Sequence, residues 1–175
     1  DSASPRVGIG SWIFPRWFLC QSEKCRSLVH RAGLDDRCRH ACEHGAKKPM
    51  PAVPTRFIAA CPHGHIQDID WAWFIHRGVR TGLAEDHEGP EWCLPTGQSK
   101  KAGDALGGNY TSQYYLLMRG TSGELTDMVA GCRHCGATRG LQDLASPGAV
   151  GKCHGNRPWL GWKTEETCPE PERIK

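Results

Sequence analysis

Apolar positions along the chain come in short bursts separated by turn-forming residues. Ser11 to Cys20 (SWIFPRWFLC) is apolar and aromatic but broken by Pro15, which removes a backbone donor and suits an edge strand or a rigid extended lead-in. Arg56 to Cys61 (RFIAAC) has the length of a strand, and Cys61-Pro62-His63-Gly64-His65 reads as a tight turn after it. In the following DIDWAWFIH, Trp71, Phe74 and Ile75 fall at i, i+3 and i+4, predicting a short helix with one apolar face, capped by Asp68 or Asp70. Gln113 to Arg119 (QYYLLMR) and Leu125 to Cys132 (LTDMVAGC) predict two strands joined by a turn through Gly120 to Gly123. Residues 77 to 112 read as Gly-rich loop, and beyond Ala145 only turns and the cluster Pro158-Trp159-Leu160-Gly161-Trp162 are legible. No internal repeat of fixed period occurs.

Composition sharpens this pattern. With 21 Gly and 12 Pro in 175 residues, long helices are excluded, and no apolar run reaches the 18 or so residues of a membrane span. The opening DSASPRVGIG has no basic region followed by an apolar stretch, so no signal peptide is expected. A start at Asp1 suggests a piece of a longer chain or a processed product.

Ten cysteines and nine histidines change the picture most. Cys20/Cys25, Cys38/Cys42 and Cys132/Cys135 are close pairs with four, three and two residues between them. A disulfide across so short a loop is strained, whereas one turn readily supplies two ligands to a metal ion. Structural zinc is therefore expected in preference to disulfides of a secreted protein or to free thiols. The predicted fold class is small α+β and zinc-ribbon-like, with short antiparallel strands, one or two short helices, much loop and two or three structural Zn²⁺ sites. A ribbon-like element over residues 1–60 and a second zinc-binding α+β element over 61–175 are expected, either separate or as one compact unit.

Three ligand groups follow from the spacing. Cys20, Cys25, Cys38 and Cys42 form a candidate Cys₄ site, with His40 and His44 competing for the second pair. Cys132-Arg133-His134-Cys135-Gly136 is half of a zinc knuckle, Gly136 permitting the positive φ that brings backbone N–H groups to the sulfurs. Its other half is expected from Cys153 and Cys168, with Cys93 as the competitor for the last place. Cys61, His65, His76 and Cys93 would then make a central Cys₂His₂ site.

Charge and missing motifs narrow the chemistry. The net charge of +3 is uneven: residues 1–60 carry +5, 61–100 carry −3 and 101–175 carry +1. The basic third, with Arg37, Arg39, Lys47 and Lys48 around Cys38 and Cys42, fits either a DNA surface or cations that offset a thiolate-rich ion. Neither a phosphate-binding P-loop nor H-E-x-x-H is present, and the zinc-deaminase signature fails because Gly131 precedes Cys132. No bound nucleotide is expected. Asp68 and Asp70 beside His65 could act as bases, but helix capping explains them better. The residues therefore favour a non-catalytic binding protein over a metal-dependent hydrolase or nuclease built on the central site.

The order FPRWFLC, RFIAACPHGHIQDIDWAWFIH, CRHCGATRGLQDL and KCHGNRPWLG, covering about residues 11 to 165, resembles the DrmB family, the helicase-partner proteins of the DISARM phage-defence system. The specific blocks are C-P-x-G-H-I-x-D-x-x-W at Cys61–Trp71 and the segment from Cys153 to Gly161 ending in R-P-W-L-G. The resemblance implies zinc-binding elements in a longer chain, a complex with an SF2-type helicase that acts on foreign DNA, and a cytoplasmic location. The first pair departs from the family, being C-x4-C where a C-x-x-C knuckle is usual. The expected function is a non-catalytic zinc-binding module of such an antiviral complex, docking the helicase and touching DNA. Arg133, Arg139 and Arg157, each close to a proposed knuckle, are the candidates for phosphate or partner contacts, with internal salt bridges as the equal alternative.

Overall fold

The computed structural model describes residues 13–42, 48–77, 113–120, 122–160 and 166–175. Every strand pairing in it is antiparallel. Strands β1 (Trp17–Cys20), β2 (Leu28–His30), β3 (Arg39–His40) and β4 (Met50–Pro54) form one sheet in the order β2-β1-β4-β3. A hairpin of β5 (Ile58–Ala60) and β6 (Ile66–Asp68) follows, then helix α1 (Trp71–His76). The last sheet joins β7 (Tyr114–Met118), β8 (Met128–Cys132) and β9 (Thr138–Gly140) in chain order.

Pro15 does not put the first strand at an edge. The strand begins two residues later, at Trp17, and β1 lies centrally, pairing β2 through Phe18↔Val29 and β4 through Leu19↔Val53. Strand β4 (MPAVP) carries two prolines and still bridges two neighbours, because it changes partner part-way. Met50 and Pro51 face β3, whereas Ala52 to Pro54 face β1. The proline carbonyl remains useful, and Pro51 O accepts from Gln21 N at 2.9 Å.

The helix forms where its apolar spacing predicts. Asp70 is its N-cap, the carboxylate accepting from Trp73 N at 2.9 Å. Asp68 is not a cap. It ends β6, and its carboxylate accepts from Arg16 N at 3.0 Å. Trp71, Phe74 and Ile75 are buried among Tyr114, Leu116, Ala130, Leu141 and Val150, so the helix lies over the last sheet and ends with His76 against β8. The second predicted strand is shorter than its sequence pattern, since Leu125–Asp127 forms a 3-10 turn before β8 starts.

Contacts cross the division expected near residue 60. Leu28 belongs to the same buried cluster as Trp71 and Tyr114, Ser27 bridges Tyr115, and Leu116 N donates to Arg26 O at 3.0 Å. No helix among the described residues is long and apolar enough to cross a membrane.

Candidate metal centres

Among the described residues three sets of side chains converge, each with its donor atoms within 4.8 Å of one another: Cys61, His65, Cys153 and Cys168; Cys20, Cys25 and Cys42; and His76, Cys132 and Cys135. Each set could hold a metal ion. The nine described cysteines are all free thiols.

The four-donor set is buried throughout. Cys61 and His65 flank the tight turn between β5 and β6, closed by Cys61 N to His65 O and Gly64 N to Cys61 O, both at 3.0 Å. Cys153 is held by its N–H on Pro171 O at 2.8 Å, which brings the C-terminal segment and Cys168 alongside. The His65 Nδ1 lies 3.2 Å from Cys61 Sγ and 3.5 Å from Cys153 Sγ, and the Cys61 and Cys168 sulfurs are 4.0 Å apart. On its other side the imidazole Nε2 meets Glu166 Oε1 at 2.5 Å. Arg157 clamps the same carboxylate oxygen from Nε at 2.9 Å and Nη2 at 2.6 Å. This chain fixes the tautomer: the Nε2 proton goes to Glu166 and the Nδ1 lone pair faces the sulfurs. The hydrogen bond from His65, then that from Arg157, holds the Glu166 carboxyl below its usual range.

Gly155 is the tightest point of this site. At φ +72° it adopts a conformation that side chains resist, and a Cβ there would lie 1.5 Å from the Glu166 carbonyl oxygen. Glycine thus lets the Cys153 turn pass directly against the backbone that carries Glu166.

The second set closes the first sheet. Cys20 ends β1 and Cys25 precedes β2 across a turn in which Cys25 N and Arg26 N both donate to Ser22 O. Cys25 Sγ is 3.1 Å from Ser27 Oγ. In the third set, His76 Nδ1 donates to Ala72 O at 2.7 Å, which frees Nε2 to face Cys135 Sγ at 3.3 Å. Helix α1 therefore aims its last residue at the Cys-x-x-Cys turn.

A common backbone device runs through all three sets. Cys20, Cys61, Cys132 and Cys153 each accept an N–H from the residue two positions on: Ser22, His63, His134 and Gly155. Such N–H groups favour thiolates. Burial opposes them, pushing Cys20 up to about 12 and Cys153 up to about 11 and raising Cys132. Burial also presses Cys61 and Cys25 upward, but backbone bonds from His65 and His63 bring Cys61 to about 7, and bonds from Ser27 and Cys42 bring Cys25 below its ordinary value. Crowded thiols cannot all ionise together in a buried space. A bound cation reverses that balance.

The family model described as Domain of unknown function (DUF8724) matches residues 2–175. The chain belongs to that family. No curated protein matches it.

In this DUF8724 chain the cysteine pairs meet as half-sites, but their combination differs from the one that spacing suggests. Cys153 and Cys168 do not complete the Cys132/Cys135 knuckle; they join Cys61 and His65. His76 leaves the expected central group for Cys132 and Cys135, because α1 packs on β8. The Cys38 thiol falls outside the mutual distance of Cys20, Cys25 and Cys42. Cys38 sits in a left-handed turn at φ +54°, its carbonyl bound to Ala52 N of β4. Cys93, His44 and the side chain of His40 lie outside the described residues, as does most of the predicted loop over residues 77–112.

The three arginines make internal contacts. Arg133 donates to Cys25 O, Ser27 Oγ and Tyr114 O; Arg139 donates to Arg77 O and lies over the Phe74 ring; Arg157 holds Glu166 and donates to His63 O. Glu166 was not foreseen from the sequence. It stands in a stretch without periodicity or motif, and nothing there marks it as a partner of His65.

Proposed function

We propose that this protein is a non-catalytic zinc-binding module that docks the SF2-type helicase of a phage-defence complex and contacts DNA. The observation that carries the zinc part is the Cys61, His65, Cys153 and Cys168 set with Glu166 behind the imidazole. A tetrahedral zinc ion with bonds of about 2.3 Å to sulfur and about 2.0–2.1 Å to nitrogen separates two sulfurs by about 3.8 Å, and sulfur from nitrogen by about 3.6 Å. The 4.0 Å and 3.5 Å separations here lie close to those edges, and the 3.2 Å between His65 Nδ1 and Cys61 Sγ is about 0.4 Å short of one. Thiolate and imidazole donors also suit zinc better than magnesium or calcium. Four protein donors complete a tetrahedron and leave no place for an activated water, which favours a structural ion over hydrolysis.

The two sets with three described donors each take one further ligand in this reading.

The helicase-docking part rests on the DrmB resemblance alone. Its two specific blocks, Cys61–Trp71 and Cys153–Gly161, supply Cys61, His65, Cys153, Gly155 and Arg157 to the same centre. Segments some ninety residues apart in sequence are thus spent on one site. A reducing cytoplasm is the compartment in which such thiols would keep their metal.

Two measurements test the proposal. Elemental analysis of the purified chain should give two or three zinc ions, and fewer than two would refute the zinc reading. The zinc-loaded chain should co-purify with a DISARM SF2-type helicase and bind DNA with a salt-dependent affinity. A zinc-loaded chain that leaves the helicase unbound would refute the docking role.

A further inference from the structure

Two of the proposed metal centres lie against each other. The turn bearing Cys20 and Cys25 meets β7 through the Ser27–Tyr115 bridge and the Leu116 N to Arg26 O bond of 3.0 Å, and β7 pairs with β8, which ends at Cys132. Arg133 spans them. Its backbone stands between the two cysteine ligands of one turn, anchored by its N–H on Gln113 O at 2.8 Å. Its guanidinium crosses to the other, where Nη2 donates to Cys25 O and Nη1 to Ser27 Oγ at 3.2 Å. Tyr115 lies under the guanidinium at 4.8 Å, and Tyr114 O takes a further bond of 3.4 Å. Ser27, fully buried, in turn contacts Cys25 Sγ at 3.1 Å. A continuous set of hydrogen bonds therefore leads from one ligand pair to a ligand sulfur of the other.

Resting on the zinc reading above, we propose that Arg133 couples these two centres, so that metal at Cys132, Cys135 and His76 raises the affinity at Cys20, Cys25 and Cys42, and the reverse. An ion at the Cys-x-x-Cys turn fixes the backbone that carries Arg133. The guanidinium fork then holds the Cys25 carbonyl and Ser27 in the arrangement the second ion needs, so the second ion meets a turn already ordered. Linkage makes the effect equal in the two directions, and couplings of this type amount to about 5- to 150-fold in affinity. None of the Arg133 contacts given above reaches the four-donor centre, which stands outside the pair.

The test is site-resolved and keeps every ligand in place. The zinc-loaded full chain is equilibrated with graded chelator and pulsed with an alkylating reagent, and mass spectrometry locates the modified cysteines. In the native chain, Cys20, Cys25 and Cys42 should become reactive at the same free zinc concentration as Cys132 and Cys135. In Arg133→Ala, the two midpoints should separate, at least one moving to about 5-fold higher free zinc, the low end of such couplings, while that of Cys61, Cys153 and Cys168 stays in place. Midpoints of the first two sets that Arg133→Ala leaves unchanged would overturn the coupling. So would all three sets shifting together, since that reports global unfolding. If the purified native chain carries no zinc, the metal reading itself fails, which separates that failure from this one.

Discussion

Replacing Gly155 with alanine tests the four-donor centre through its backbone. The new Cβ would sit 1.5 Å from the Glu166 carbonyl oxygen and 2.6 Å from its carbon, so one of two main-chain segments must move by more than an ångström. Either movement separates the Cys153 turn from the residue that holds His65. Gly136 supplies a matched control, having φ +75° against +72° at Gly155, with nothing within 4 Å of where its Cβ would stand. Gly136→Ala should therefore cost only the left-handed backbone preference, about 1–2 kcal/mol. Gly155→Ala adds overpacking of about 1–3 kcal/mol, for a total of about 2–5 kcal/mol, towards the upper end because the obstacle is main chain. At about 2–4 °C per kcal/mol for a chain of this size, thermal unfolding followed by circular dichroism separates the two variants. Chelator competition should show weaker zinc at the Cys61 centre only in Gly155→Ala. Equal destabilisation by both substitutions, with unchanged zinc affinity, would show that the contact with Glu166 does not shape the centre.

Other expectations follow from the same geometry. Glu166→Ala should weaken zinc at the Cys61 centre about 10-fold, the low end of the range for outer-sphere partners because half of that side chain is exposed; a chelating dye measures it. Complete zinc removal should abolish the far-UV dichroism, since each ion supplies roughly 10–16 kcal/mol of apparent binding energy to a chain with few long elements; an unchanged spectrum would contradict this. Burial, then the nearby Arg16 charge, lowers His30 to about 4 from 6.5. The unfolded chain thus binds the proton first, and His30 withdraws about 3 kcal/mol of stability as pH falls from 6.5 to 4. His30→Gln should flatten that limb in denaturant titrations. Trp71→Ala, which empties the largest fully buried position among the described residues, should cost about 3–5 kcal/mol in the same assay.

The local pieces were legible along the chain. Trp71, Phe74 and Ile75 at helical spacing after Asp70 define a capped helix, because both cap and apolar face arise within a few residues. Cys132 and Cys135 share a site for the same reason, as do Cys61 and His65: one turn sets the distance between both donors. Which half-sites combine was not legible. Cys153 and Cys168 are nearer in sequence to Cys135 than to Cys61, yet Cys153 N on Pro171 O and Ile66 N on Asn156 O carry them to the β5–β6 hairpin. Long-range packing alone made β1 a central strand, sent His76 to the Cys-x-x-Cys turn, spent Arg133 and Arg157 on internal carbonyls and a carboxylate, and placed Glu166 behind His65. The difference is one of range. Turn geometry and capping are fixed by neighbours along the chain, whereas the meeting of distant half-sites depends on how separate sheets pack around a shared core, and residue spacing carries no record of that.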